Sequence, residues 1–467
     1  MSEEGAETPF RRWLSHMFGP VAERAGERAE RRRRKRFADL LAARLSGSEA
    51  MQPIEYDPEA FTLNLGNGQV VNLAYFWHVY SGLDAEKRKK HIESIAQGLF
   101  QGQFELPEEY EDARVDLLPK VWARAALDRL DLEAEAKGLR PPEPSVTPLG
   151  SHLLLGVVYD LPNSMKQVHG KDFGTWEVTF FEAMEQAVEN LRQLPMQVGK
   201  FVAPDEAEAG NDSDDDEESD IGFGDPGDTA FDFRPEEGGL YAAMIGDSYD
   251  ATRLLLIPDL VESEQLPLRG RPVVMMPCRD VLLVTGDDDE DGLVAMADMA
   301  GKIIESEVRL LVPTLLRHEN GEWADFHVPP AHPAAIELHQ LELRYLVETY
   351  EMQKELLEGV ESRRDDPADV GELLVFRHRE LGRWMSLTVW TEGTILLPKA
   401  DFVAIVTEEG ADPVYATWDD IVTLTGELLE PVDLSPPRWR VGELPHPKAV
   451  EILAETSENP MPDEAEG

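Results

Sequence analysis

The sequence predicts an α+β protein, with short, mostly antiparallel sheets, helices packed on one face, and more than one domain. Three observations predict it. Short alternating or continuous apolar runs are joined by tight turns, without the regular strand–helix–strand alternation of a doubly wound parallel sheet. Segments of 3.6-residue apolar period recur between those runs. The chain has 467 residues, of which 42% are hydrophobic, enough for two to four cored domains at roughly 100–200 residues each.

In chain order, residues Phe10 to Leu45 read as an amphipathic helix around the basic run Arg31 to Arg36, with Trp13, Leu14, Met17, Phe18 and Val21 as an apolar stripe. The first globular unit is expected from Met51. Phe61 to Leu65 alternates as a strand, Gly66-Asn67-Gly68 supplies a hairpin turn, and a helix follows Asp84 to about Phe100. Leu117 to Arg124 reads as a strand, Leu130 to Ser145 as linker, and Leu153 to Tyr159 as a buried strand. Thr179 to Leu194 is a helix with Phe180, Met184, Ala187, Val188 and Leu191 on one face.

Asp205 to Pro235 is dense in carboxylates and is expected to be an unpacked insertion, because like charges repel. Strands are expected at Tyr241 to Ile245, Pro272 to Pro277 and Asp280 to Val284, a short helix at Asp250 to Leu256, and longer helices at Leu293 to Leu311 and Glu337 to Glu361. The last unit has strands at Leu373 to Arg377, Met385 to Trp390 and Phe402 to Val406, a helix at Trp418 to Leu429, and an irregular Pro-rich end after Pro431. The domains so read are a basic leader (1–50), a first α+β region (51–204), the acidic insertion (205–235), a second α+β region (236–330), a long helix (331–362), a C-terminal α+β unit (363–445) and an acidic tail (446–467).

Charge narrows the partners. Lys and Arg number 44 against 92 Asp and Glu, a net charge of -48 at pH 7. The acidic body is therefore not expected to bind nucleic acid, while basic partners and cations fit the charge equally; a protein partner is expected from the several α+β units, the acidic insertion and the basic leader. The basic leader is expected to contact that acidic body or another anionic surface. One cysteine, Cys278, excludes an internal disulfide framework. Glu3, Glu4 and Glu7 open the chain without an apolar signal-peptide core, and no stretch reaches the ~20 apolar residues of a membrane span, so a cytoplasmic location is expected.

Asp116-Leu117-Leu118-Pro119-Lys120-Val121, Leu149 to Pro162, Ala187-Val188-Glu189-Asn190-Leu191, Asp250 to Leu255 and Val273 to Pro277 with Arg279-Asp280 occur in an order that resembles the YtpQ-type bacterial family of unknown function. The resemblance spans about Asp116 to Arg309. It implies no activity, cofactor or catalytic residue.

Four patterns could carry chemistry. Asp287, Asp289, Asp291 and Asp298, spaced around Gly292, imitate a calcium loop, although Asp298 is shorter than the usual bidentate Glu and a strand precedes the loop. The alternative is a solvated turn whose carboxylates favour a helix N-terminus. Asp160, Asp250, Arg253, Arg279 and Asp280 stand at strand and helix ends, where they could bind a small anion, do acid–base work or form register-fixing ion pairs. Cys278 beside Arg279 reads as a core residue rather than a nucleophile. His327, His332 and His339 read as exposed imidazoles of a linker rather than a metal triplet. No Walker loop, GxGxxG, zinc cysteine pair or serine nucleophile elbow is present. The functional expectation is a non-enzymatic binding or scaffold protein, with no cofactor unless calcium. The alternatives are an enzyme with its site around Asp160 and Arg279-Asp280, and a calcium-responsive regulator.

Overall fold

The computed structural model is α+β, and its chain forms two compact units, Met1–Leu106 with Asp160–Lys166, and Pro107–Tyr159 with Gln167–Gly467. The structure describes residues 31–46, 54–58, 61–65, 70–83, 85–101, 106–139, 145–161, 164–196, 199–201, 231–232, 239–243, 245, 249–306, 310–407, 412–455 and 457–461. The stripe expected at Trp13 to Val21 and nearly all of the acidic insertion lie outside these residues. No helix among them is long and apolar enough to cross a membrane.

The first unit holds an antiparallel sheet of Ile54–Asp57, Thr62–Leu65 and Val70–Asn72, followed by helices Ala74–Gly82 and Ala85–Gln101. A helix over 31–45 is part of this unit, not a leader attached to it. Phe37, Ala38, Leu41 and Leu45 recur at helical spacing and are buried with Leu63, Leu65, Leu73, Ile95 and Ala96. Arg31 to Arg36, which precede this buried stripe, are all exposed.

The second unit is organised by a seven-stranded sheet, ordered Glu322–Phe326, Leu310–Glu319, Pro272–Cys278, Val281–Gly286, Tyr241–Ala243, Gly199–Phe201 and Phe231–Asp232. Its pairings are antiparallel. Pro272–Cys278 and Val281–Gly286 are buried along their whole length, which explains their continuous apolar sequences. The helix Glu290–Ser306 covers one face with Leu293, Met296, Ala297, Ala300 and Ile303, against Val273, Met275 and Leu283. The segment expected to extend this helix to Leu311 instead starts the long strand Leu310–Glu319. That strand turns at Asn320 and Gly321, both at positive φ, into Glu322–Phe326.

Leu117–Ala123, Leu153–Leu161 and Val146–Leu149 pair antiparallel. The helix Phe180–Gln193 packs on Leu117–Ala123 and begins with a reciprocal capping box between Thr179 and Glu182. The start of the linker expected from Leu130 is instead the end of the helix Arg124–Ala136, because Ala125 and Leu132 turn to the core on one face.

The long helix Ala335–Glu361 leads to the C-terminal part, which contains two four-stranded sheets. One is ordered Leu374–Arg377, Trp384–Trp390, Phe402–Ile405 and Val414–Thr417. The other is ordered Asp369–Val370, Ile395–Pro398, Arg438–Val441 and Glu430–Val432. Trp390, Leu397, Ile405, Ile421 and Val441 from both sheets and the helix Trp418–Thr425 share one core. The irregular end expected after Pro431 is thus corrected. Arg438–Val441 is an interior strand, and Pro447–Glu455 is a helix.

Candidate functional site

The second unit contains a cleft of about 400 Å3, within the size range of small-molecule sites. Leu315, Phe326, Leu338, Leu346 and Met385 supply its apolar wall. One side is the long helix, which is fastened to the C-terminal sheets by buried polar groups. Tyr350 Oη donates to Pro437 O at 2.7 Å and accepts from Lys399 N at 3.0 Å. Gln353 Nε2 donates to Pro436 O at 2.9 Å. Arg438, fully buried, donates to Gln353 Oε1 and to the carbonyls of Gly371, Leu396 and Tyr350, at 2.8 to 3.1 Å. Burial lowers the Arg438 guanidinium to about 10, still cationic at neutral pH.

Within the cleft, His339 Nε2 lies 3.4 Å from Asp401 Oδ2, an ion-pair contact in which the N–H is not aligned for a hydrogen bond. Ser386 fixes the carboxylate: its N and Oγ donate to Asp401 Oδ2 at 2.7 and 2.8 Å, and its Oγ accepts from Asp401 N at 2.9 Å. Burial pushes Asp401 up, but His339 and Ser386 outweigh it and hold the carboxyl below its ordinary value. Asp401 in turn raises His339 above the usual imidazole value, against the effect of burial.

A second pair, Ser151 and Asp325, also lines the cleft. Ser151 N donates to both oxygens of Asp325 at 3.1 and 3.0 Å, and Ser151 Oγ donates to Oδ2. This close approach needs Gly150, at φ +64°, because a Cβ there would lie 2.4 Å from Asp325 Oδ1 and 2.6 Å from Leu316. His152 Nδ1 lies 3.0 Å from Ser435 Oγ, and burial holds its imidazole below the ordinary value.

Four further ionisable side chains line the cleft: His327, Glu342, Arg383 and Lys399. None makes a side-chain hydrogen bond or ion pair among the described residues, and Arg383 Nε is buried without an acceptor. A buried donor without a partner costs about 1–3 kcal/mol, which a ligand's acceptor would recover.

The arrangement is not a nucleophile triad. Asp401 stands between Ser386 and His339, whereas acyl transfer needs the imidazole between carboxylate and hydroxyl. Ser386 and Ser435 are 2% and 1% exposed, too buried to reach a substrate. What remains is a pocket that can bind charge and exchange a proton at His339.

The residues singled out in the sequence fall elsewhere. Asp160 belongs to the first unit, and Asp250, Arg253, Arg279 and Asp280 to the second. Asp250 and Arg253 form a fully buried ion pair, Nη1 to Oδ1 at 3.2 Å. Asp250 Oδ1 also accepts from Ile245 N, and Arg253 Nη2 donates to Pro195 O. Asp287 pairs with Arg271 and Arg317, Asp298 pairs with Lys302, and Asp291 is exposed. Asp289 caps the helix Glu290–Ser306, accepting from Gly292 N at 2.9 Å, and its other oxygen accepts from Gly239 N at 2.6 Å. Among the described residues, no group of three or more His, Cys, Asp or Glu is arranged to hold a metal ion. Cys278 is buried in the sheet core.

The histidine cluster is corrected in part. His332 Nδ1 accepts from Ala334 N in the turn before the long helix, as a linker residue would. His339 is instead a half-buried member of the cleft, and His327 lines it. Its partner Asp401, with Arg383 and Lys399, carries no local motif. The one available signal was His339 itself, a titratable group close to the N-terminus of a long helix. No family model, curated protein or solved structure matches the chain, so the likeness to the YtpQ-type family rests on the quoted residues alone.

Proposed function

We propose that this is a non-enzymatic binding protein whose second unit captures a small organic acid in the cleft. The observation that carries this reading is the set of unpaired cations, Arg383 and Lys399, beside an apolar wall. Arg383, with its Nε buried and unmet, is the anchor for a carboxylate or phosphate. His339 adds positive charge when protonated, and Glu342 offers an acceptor for an amino or hydroxyl group on the ligand. The tethering of Ser386 to Asp401 and of Ser151 to Asp325 supports binding over covalent catalysis.

The test is to purify the full chain natively, extract it and identify retained small molecules by mass spectrometry. An acidic compound held by the wild type and lost from Arg383→Ala supports the proposal. A retained cation or neutral compound unaffected by that change contradicts it.

A further inference from the structure

The first unit differs from the rest of the chain in charge. Residues 1–106 contain fifteen Lys and Arg and fifteen Asp and Glu, so the whole net charge of -48 belongs to the remainder. Within the first unit the cations are concentrated. The helix over 31–45 and the helices Ala74–Gly82 and Ala85–Gln101 enclose a cleft of about 1020 Å3. Arg33, Arg36, Arg44, Arg88 and Lys89 line it, and its one carboxylate, Glu93, is held by both ends of the Arg44 guanidinium. Arg33, Arg36 and Lys89 are exposed and have no hydrogen bond or ion pair among the described residues.

Aromatic rings stand among these cations. Trp77 and Tyr80 line the cleft, stacked at 5.8 Å between centroids and 28° between planes. Buried Phe37 backs them, 5.7 Å from Trp77 and 4.7 Å from Tyr80. Arg88 lies over the Tyr80 ring at 5.3 Å, anchored by donating to Tyr80 O at 2.9 Å and Ser81 O at 2.8 Å. The rings are held in place while half-exposed, and the guanidiniums beside them are set at the cleft edge.

We propose that this cleft binds single-stranded nucleic acid. Unpaired Arg and Lys side chains neutralise phosphates, and fixed aromatic rings stack on unpaired bases regardless of sequence. An acidic peptide would use the cations and gain nothing from the rings. A membrane surface is flat, while this site is concave. A duplex keeps its bases stacked internally and out of reach of Trp77 and Tyr80. The net negative charge that opposes nucleic acid lies in the acidic remainder and not in residues 1–106.

The experiment is fluorescence anisotropy of the full chain with a labelled 20-mer of uridine between 50 and 200 mM NaCl. Three phosphate contacts, at a slope of about -0.7 each, give a log–log salt slope of about -2 and a loss of about twentyfold in affinity across that range. Combined Arg33→Glu, Arg36→Glu and Lys89→Glu should abolish binding, while Lys171→Glu, an exposed change in the second unit, should not alter it. Should the triple variant lose helical circular dichroism, Lys89→Glu alone should still weaken binding and flatten the slope. Absence of binding at 50 mM salt, or binding indifferent to these changes, overturns the proposal. So does more effective competition by a 20-mer of glutamate or by phosphatidylglycerol vesicles than by unlabelled oligonucleotide, since either identifies a different class of partner.

Discussion

His339 Nε2 lies 3.4 Å from Asp401 Oδ2, joining the first turns of the long helix to the loop between two strands of the C-terminal sheets. The contact ties the cleft's charge to pH.

His339 has a folded pKa above its ordinary value of 6.5, so the stability it contributes is fully present below 6.5 and is lost as pH rises through the raised value. Asp401 has a folded pKa below its ordinary 3.8, so its contribution is present above 3.8 and is lost as pH falls through the lowered value. The pair is therefore at full strength between about 4 and 6.5. His339→Gln should be destabilised relative to wild type by about 1 kcal/mol at pH 5.5, with solvent screening limiting the effect, and by less at pH 9. Urea denaturation at the two pH values checks this.

Asp128 shows the opposite linkage. Burial raises its carboxyl from 3.8 to about 6, although Ser435 N donates to Oδ2 at 2.6 Å. The folded state favours the protonated form, so stability falls as pH rises from 3.8 through 6 and the buried charge costs about 2 kcal/mol above that. Asp128→Asn keeps an acceptor for Ser435 N. It should match wild type near pH 4 and exceed its stability at pH 8, as read from thermal melts at both values.

Arg438 is a fully buried cation whose hydrogen-bond acceptors are Gln353 Oε1 and three backbone carbonyls. Arg438→Met fills part of the volume but removes the Arg438 donors from Gln353 Oε1 and from the three carbonyls, of which Leu396 O keeps Gly371 N at 3.0 Å. A loss of about 3–5 kcal/mol is expected, with loosening of the long helix from the strand Ile395–Pro398. Equilibrium unfolding and amide exchange at Leu396 and Gly371 measure both effects.

These sites differ in how far the sequence announces them. Thr179 and Glu182 sit three apart before an apolar-periodic run, so the start of Phe180–Gln193 is a local signal. The apolar runs at Pro272–Cys278 and Val281–Gly286 are equally plain, since both faces are buried. Arg438–Val441 was hidden because two of its four residues are arginines and two prolines precede it. Gln353, carbonyls distant in sequence and the Tyr350 ring under its guanidinium make Arg438 acceptable inside a sheet. The cleft was hidden for the same reason. Ser151, Asp325, His339, Arg383 and Asp401 meet through tertiary packing, and none lies in a motif with another.

Capture of an organic acid by the cleft is measured by calorimetric titration of the full chain at pH 6 with hexanoate, phenylacetate and phenyl phosphate. Saturable one-site binding of at least one of these acids is expected. Its affinity should fall about tenfold or more in Arg383→Ala, the loss of a charge-assisted hydrogen bond. Absence of saturable binding by all three, or binding that Arg383→Ala and Lys399→Ala leave unchanged, would contradict it.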